Sequence, residues 1–146
     1  MAEKKTARKK STAGLTAGER AAMRELVKER KAEAAKADGE KMLLDSVAAM
    51  KGSDRTMAQR IHALVKAAAP ELAPKTWYGM PAYAKDGKVV VFFKPALKFK
   101  SRYATLGFED AANLDAGAMW PTSYALTKLT PADEKKITAL VKKASR

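Results

Sequence analysis

Three cations, Lys98, Lys100 and Arg102, fall at alternate positions within residues 97–106, and Trp77, Tyr78 and Trp120 add aromatic surface elsewhere in the chain. Cations interleaved with aromatic rings can bind anions or stack on bases. With Met80 they define a candidate ligand groove of Trp77, Tyr78, Met80, Lys98, Lys100, Arg102 and Trp120, which Lys94 can join. A solvated strand face with the aromatics in the core explains the same residues without any ligand. A second cationic set, Lys4, Lys5, Arg8, Lys9 and Lys10, lies at the N-terminus. Such an arm can touch phosphates, giving salt-dependent binding without sequence specificity. A disordered, solubilising terminus is the plainer account.

Residues for bond-making chemistry are few. His62 is the single histidine and there is no cysteine. Nothing near His62 has the spacing of a metal site or of a Ser-His pair, so it reads as a boundary or surface residue on a helix. Asp110 and Asp115 read as turn formers rather than an acid–base pair. No phosphate loop, dinucleotide fingerprint, zinc-ligand spacing or nucleophile elbow is present. The expectation is a non-enzymatic protein with no catalytic residue, no metal ligand and no cofactor.

These residues need elements to place them, and the central one is the stretch 76–94. Asp86-Gly87 suits the positive φ angles of a two-residue type I′ hairpin loop. Residues 77–83 and 88–94 on either side are rich in aromatic and β-branched residues. A two-residue loop puts Tyr83 opposite Val90 and Met80 opposite Phe93. Gly79 reads as a bulge or a close backbone approach, and Pro81 as an edge or bulge residue. After Pro95 the alternation of residues 97–106 predicts a half-buried strand with the three cations on one face. Residues 109–112 suggest a helical turn before the Asp115-Ala116-Gly117 loop, and 118–127 a last strand, at an edge because of Pro121.

Helices flank this region. Thr16 with Glu19 is a capping-box pattern opening a first helix, whose Met23, Leu26 and Val27 form a short apolar stripe. The helix is polar over 28–38, and Gly39 predicts a break or kink there. Residues 40–51 resume it with Leu43, Val47 and Met50 on one face. Gly52 reads as a stop, and Ser53 or Asp54 as the cap of a second helix with Met57, Ile61, Leu64 and Ala68 in its stripe. The last helix begins at Thr130-Pro131 and buries Ile137, Leu140, Val141 and Ala144.

Helices, then strands, then a helix predict an α+β domain, an antiparallel sheet with helices packed on one face. It is preceded by a polar N-terminal helix and a basic arm. The organisation expected is a disordered arm over 1–15, a helical extension over 16–39 and an α+β domain over 40–146. The net charge of the 146 residues is +13, of which residues 41–146 carry +9. The folded part is therefore itself basic, which attracts anionic partners or simply aids solubility. No run of apolar residues is long enough for a membrane span, and the N-terminus lacks the apolar middle of a secretory signal. A cytoplasmic protein without membrane partners is expected.

The run Trp77-Tyr78-Gly79-Met80-Pro81-Ala82-Tyr83, with two helices before it and Phe92-Phe93 after it, resembles the YdhG-like family of domains of unknown function. The resemblance covers roughly residues 40–145, including Met119-Trp120-Pro121 and the Thr130-Pro131 helix. It implies a small cytosolic α+β domain with a fold similar to frataxin. A frataxin-like member of that family is regarded as an intracellular iron chaperone, which relies on acidic surface carboxylates. Here the helix region before the hairpin offers Glu40, Asp45 and Asp54 among lysines and arginines, and no iron ligand is carried over. The leading functional expectation is binding of an anionic small ligand or partner. Iron chaperoning and weak, non-specific nucleic-acid binding through the N-terminal region are the alternatives.

Overall fold

Helix α1 (Ala17–Ala48) opens the computed structural model, which describes residues 16–146. The chain divides into two units, one ending at Ala35 and the other spanning Lys36–Arg146. In the first unit Thr16 closes the opening turn, its Oγ1 accepting the Glu19 N–H at 3.1 Å. The Glu19 carboxylate accepts the Thr16 hydroxyl in return. Met23, Leu26 and Val27 are exposed. The cationic arm of Lys4, Lys5, Arg8, Lys9 and Lys10 lies outside the described residues.

The second unit contains the remainder of α1, helix α2 (Gly52–Ala68), five strands and helix α3 (Pro131–Ala144). The strands are β1 (Ala73–Trp77), β2 (Met80–Lys85), β3 (Lys88–Lys94), β4 (Ala104–Phe108) and β5 (Ser123–Leu126). All neighbours pair antiparallel in sequence order, so the sheet is a meander. The fold is α+β, as the order of elements predicts.

Helix α1 does not break at Gly39. The Pro74 carbonyl packs against Gly39 so closely that any Cβ there would collide with it. Helix α2 is not capped by Ser53 or Asp54 either. Its N-cap is Lys51, with no side-chain hydrogen bond, and Asp54 is turned to another use. Helix α3 starts as its sequence dictates: Thr130 Oγ1 accepts the Asp133 N–H, and the Asp133 carboxylate accepts the Thr130 N–H. The Thr130 N–H, together with the Thr130 hydroxyl donating to Asp133 Oδ2 at 2.8 Å, holds the Asp133 carboxyl below the usual carboxylate range.

The Asp86-Gly87 turn forms as expected, with φ of 51° and 79°. The register beyond it differs by a β-bulge. Tyr83 pairs with Val91, not Val90, because Val90 is the extra residue on β3. The bulge lets both Val90 and Val91 join the core. Met80 faces Trp77 on β1, and Phe93 faces Leu106 on β4, so the predicted Met80–Phe93 pair is absent. The last strand is shorter than the predicted 118–127.

Two larger corrections bear on function. Residues 77–83 are not one strand but two, reversed at Tyr78-Gly79, where both residues have positive φ (51° and 73°). Gly79 is thus a turn residue rather than a bulge. Residues 95–103 are not a strand at all but a folded connection between β3 and β4. Three features defeat the alternating pattern there, the first of them remote in sequence: the Asp54 carboxylate holds the Ala96 and Leu97 N–H groups. The Ser101 N–H closes back on the Ala96 carbonyl. Lys100 takes a positive φ of 52°.

Residues paired across neighbouring strands share a face. Pro81, Tyr83, Val91, Phe93, Leu106 and Phe108 lie on the face that α2 and α3 cover, where Ile61, Val65, Ile137 and Val141 complete the core. Lys75, Ala82, Phe92, Gly107 and Ser123 form a row on the other face.

Candidate functional site

Around the Tyr78-Gly79 turn the chain builds a cleft of ≈ 390 Å³. The last turn of helix α1 supplies Ser46, the α1–α2 junction supplies Ala49, Met50 and Lys51, and the 95–98 segment supplies Pro95, Leu97 and Lys98. What fixes the last wall is Asp54, which is 3% exposed. Its two oxygens accept from Ala96 N at 3.1 Å and Leu97 N at 2.9 Å. A buried carboxylate with both oxygens so engaged is a structural clamp, and it ties α2 to the connection that carries Lys98.

Lys98 lies across the turn. Its Nζ donates to the Gly79 carbonyl at 3.2 Å, and a Cβ at residue 79 would collide with that ammonium. The positive φ favours glycine there, and the missing Cβ leaves room for the end of the lysine. The described residues contain ion pairs Arg60–Glu134, Lys66–Glu40 and His62–Glu40, and among them neither Lys51 nor Lys98 has a carboxylate within 4.0 Å. The cleft thus combines two cations from separate elements with apolar walls.

The predicted groove is only partly assembled. Trp77, Tyr78 and Lys98 come together at the turn, the two rings 5.0 Å apart. Met80 is buried beside Trp77. Lys100 and Arg102 are exposed on the connection rather than on a strand face, and Arg102 stands over the Tyr103 ring at 5.2 Å. Trp120 packs against the helix-side core near β5, the edge opposite Trp77. Phe99 is an addition that sequence reasoning missed: the Nζ atoms of Lys94 and Lys98 lie 5.3 and 5.7 Å from its ring. Asp110 and Asp115 are exposed loop residues.

His62 is not a surface residue. It is 9% exposed, with Nδ1 2.9 Å from the Tyr83 hydroxyl and Nε2 3.6 Å from Glu40 Oε1. Lys66 Nζ donates to the same Glu40 oxygen at 2.6 Å. An ionised Glu40, an acceptor only, favours the proton on Nε2 and leaves Nδ1 to accept the Tyr83 hydroxyl. Burial pushes the Tyr83 phenol well up, so it stays protonated. Burial also lowers the His62 pKa, with Glu40 pulling it part of the way back. The Lys66 hydrogen bond holds the Glu40 carboxyl below its usual value. The three carboxylates weighed for iron differ in role: Glu40 binds Lys66, Asp54 clamps the backbone at the cleft, and Asp45 shares a shallow hollow with Glu40 and Lys41.

Compared with protein-family models, curated proteins and solved structures, the chain has no match. No helix among the described residues is long and apolar enough to cross a membrane.

Proposed function

We propose that this protein binds a small anionic ligand with an apolar body in the cleft beside the Tyr78-Gly79 turn, and does not transform it. The observation that carries this reading is the convergence of Lys51 and Lys98, without a carboxylate partner among the described residues, on a cleft walled by Met50, Pro95 and Leu97. Two ammonium groups at one mouth suit a carboxylate or phosphate, and the walls suit an aliphatic or aromatic remainder. The net charge of +13 draws such ligands in. The resemblance of residues 77–83 and Phe92-Phe93 to the YdhG-like family, and the cytoplasmic setting it implies, belong to the same proposal.

The test is a thermal-shift screen of small carboxylates and phosphate esters against the full chain. A ligand at a hundred times its Kd stabilises by about 2.7 kcal/mol. That shift should vanish in Lys51→Glu and Lys98→Glu. A panel without a hit, or a shift indifferent to both charge reversals, overturns the reading.

A further inference from the structure

We infer that the open face of the sheet is a second binding site, adjoining the cleft at Lys98 and the Tyr78-Gly79 turn, and that it takes single-stranded nucleic acid. The face is the one away from α2 and α3. Its strand residues include Lys75, Trp77, Ala82, Phe92, Lys94 and Thr105, and none of its strand positions is a carboxylate. Trp77 and Phe92 are half-buried, yet neither belongs to the helix-side core.

The rings on this face are supported from below. The far end of the Phe92 ring lies over Gly107, where a Cβ would collide with it. Trp77 meets it edge-on, with centroids 5.3 Å apart. Tyr78 continues from Trp77 at 79% exposure, and Phe99 flanks the face between Lys94 and Lys98. Aromatic surfaces fixed on a sheet and bordered by lysines accept unstacked bases on the rings and phosphates on the ammonium groups. A duplex hides its base faces and has nothing to offer the rings, whereas an acidic peptide would use the lysines alone.

Tyr78 is the residue that argues most strongly for a ligand. It occupies the first turn position at φ 51°, a conformation that an aromatic residue rarely adopts and that Asn-Gly takes readily. The residue is 79% exposed, so packing does not offset the strain. An aromatic ring held out at a hairpin tip against backbone preference is the pattern of a contact residue.

The experiment is fluorescence anisotropy of a labelled twelve-nucleotide oligo-dT with the full chain. Unlabelled duplex DNA and polyglutamate serve as competitors. Tyr78→Asn preserves the turn and removes the ring; it should weaken binding roughly tenfold while the unfolding midpoint stays or rises. Trp77→Leu should weaken it by a similar factor. Replacing Lys4, Lys5, Arg8, Lys9 and Lys10 with Ser should lower the salt dependence but leave the Tyr78→Asn factor intact. Lys51→Glu, in the cleft, should change binding less than twofold, which separates this site from the small-ligand reading. Equal competition by duplex or polyglutamate overturns the inference. So does unchanged affinity in both Tyr78→Asn and Trp77→Leu, loss of all binding with the arm substitutions, or a Lys51→Glu effect as large as that of Tyr78→Asn.

Discussion

Phe92 and Phe93 are neighbours on one strand and point to opposite faces of the sheet. Phe93 is fully buried against Leu106, within the core under α2 and α3. Phe92 lies half-buried over Gly107, in contact with Trp77 and outside that core. The helix-covered face spends its aromatic surface on folding, whereas the open face holds aromatic surface in place without enclosing it. The same contrast separates Tyr83, locked to His62, from the exposed Tyr78, whose ring meets Trp77. Residue type alone does not distinguish fold from contact surface; the face does.

The sharpest way to break this comparison is to truncate each phenylalanine. Phe93→Ala is expected to cost about 3–5 kcal/mol in urea unfolding, since it opens a cavity in a closed core. Phe92→Leu should cost less than about 1.5 kcal/mol. Equal losses would mean that both faces are core.

A smaller effect is expected at Asp54, where the helix-covered side reaches the cleft. Asp54→Ala removes the acceptor of two backbone N–H groups and should destabilise by about 2–3 kcal/mol. The thermal-shift response to the cleft ligand should fall with it, because the 95–98 wall loses its anchor. A stable variant with an unaltered ligand response would show that the clamp is unnecessary.

The smallest effect lies in pH. His62 has a lowered pKa in the fold, so above its ordinary value of 6.5 both folded and unfolded states are neutral and the full stability is present. As pH falls below that value the unfolded chain takes up the proton first, and stability is lost down to the folded pKa. Glu40, kept charged chiefly by Lys66, adds a further loss in the acid range, below its ordinary 4.5. The unfolding midpoint should therefore drop between pH 7 and pH 5.5. His62→Gln, which can still bond Tyr83, should flatten that drop; an unchanged slope would remove His62 as its source.

Much of the architecture could be read from local chemistry. The Asp86-Gly87 turn, the Thr130-Pro131 start of α3 and the apolar stripe of α2 depend on residues within a few positions of one another, and they form where the sequence puts them. Elsewhere the decisive partners are remote. His62 finds Tyr83 at a separation of 21 residues, and Asp54 finds Ala96 at 42, distances that no spacing rule reports. The alternation of residues 97–106 mimicked a strand because nothing local reveals that Asp54 captures the Ala96 and Leu97 N–H groups where it begins. Tyr78 concealed a turn because aromatic residues so seldom take positive φ. The candidate groove was thus half legible: Trp77, Tyr78 and Lys98 meet, Trp120 lies toward the opposite edge, and Lys51 and Phe99 carried no sequence signal beyond their type.

The meander leaves β1 and β5 as free edges, and both are poor templates for another chain. Pro74, the second residue of β1, has no N–H to offer, and its carbonyl lies against Gly39 of α1. β5 offers only four residues, with Pro121 just ahead of it and Lys128 just behind. A strand approaching from solvent meets a missing donor on one side and a short, charge-flanked segment on the other. The molecule can therefore display half-buried rings on an open sheet face and still resist the edge-to-edge growth that leads to fibrils.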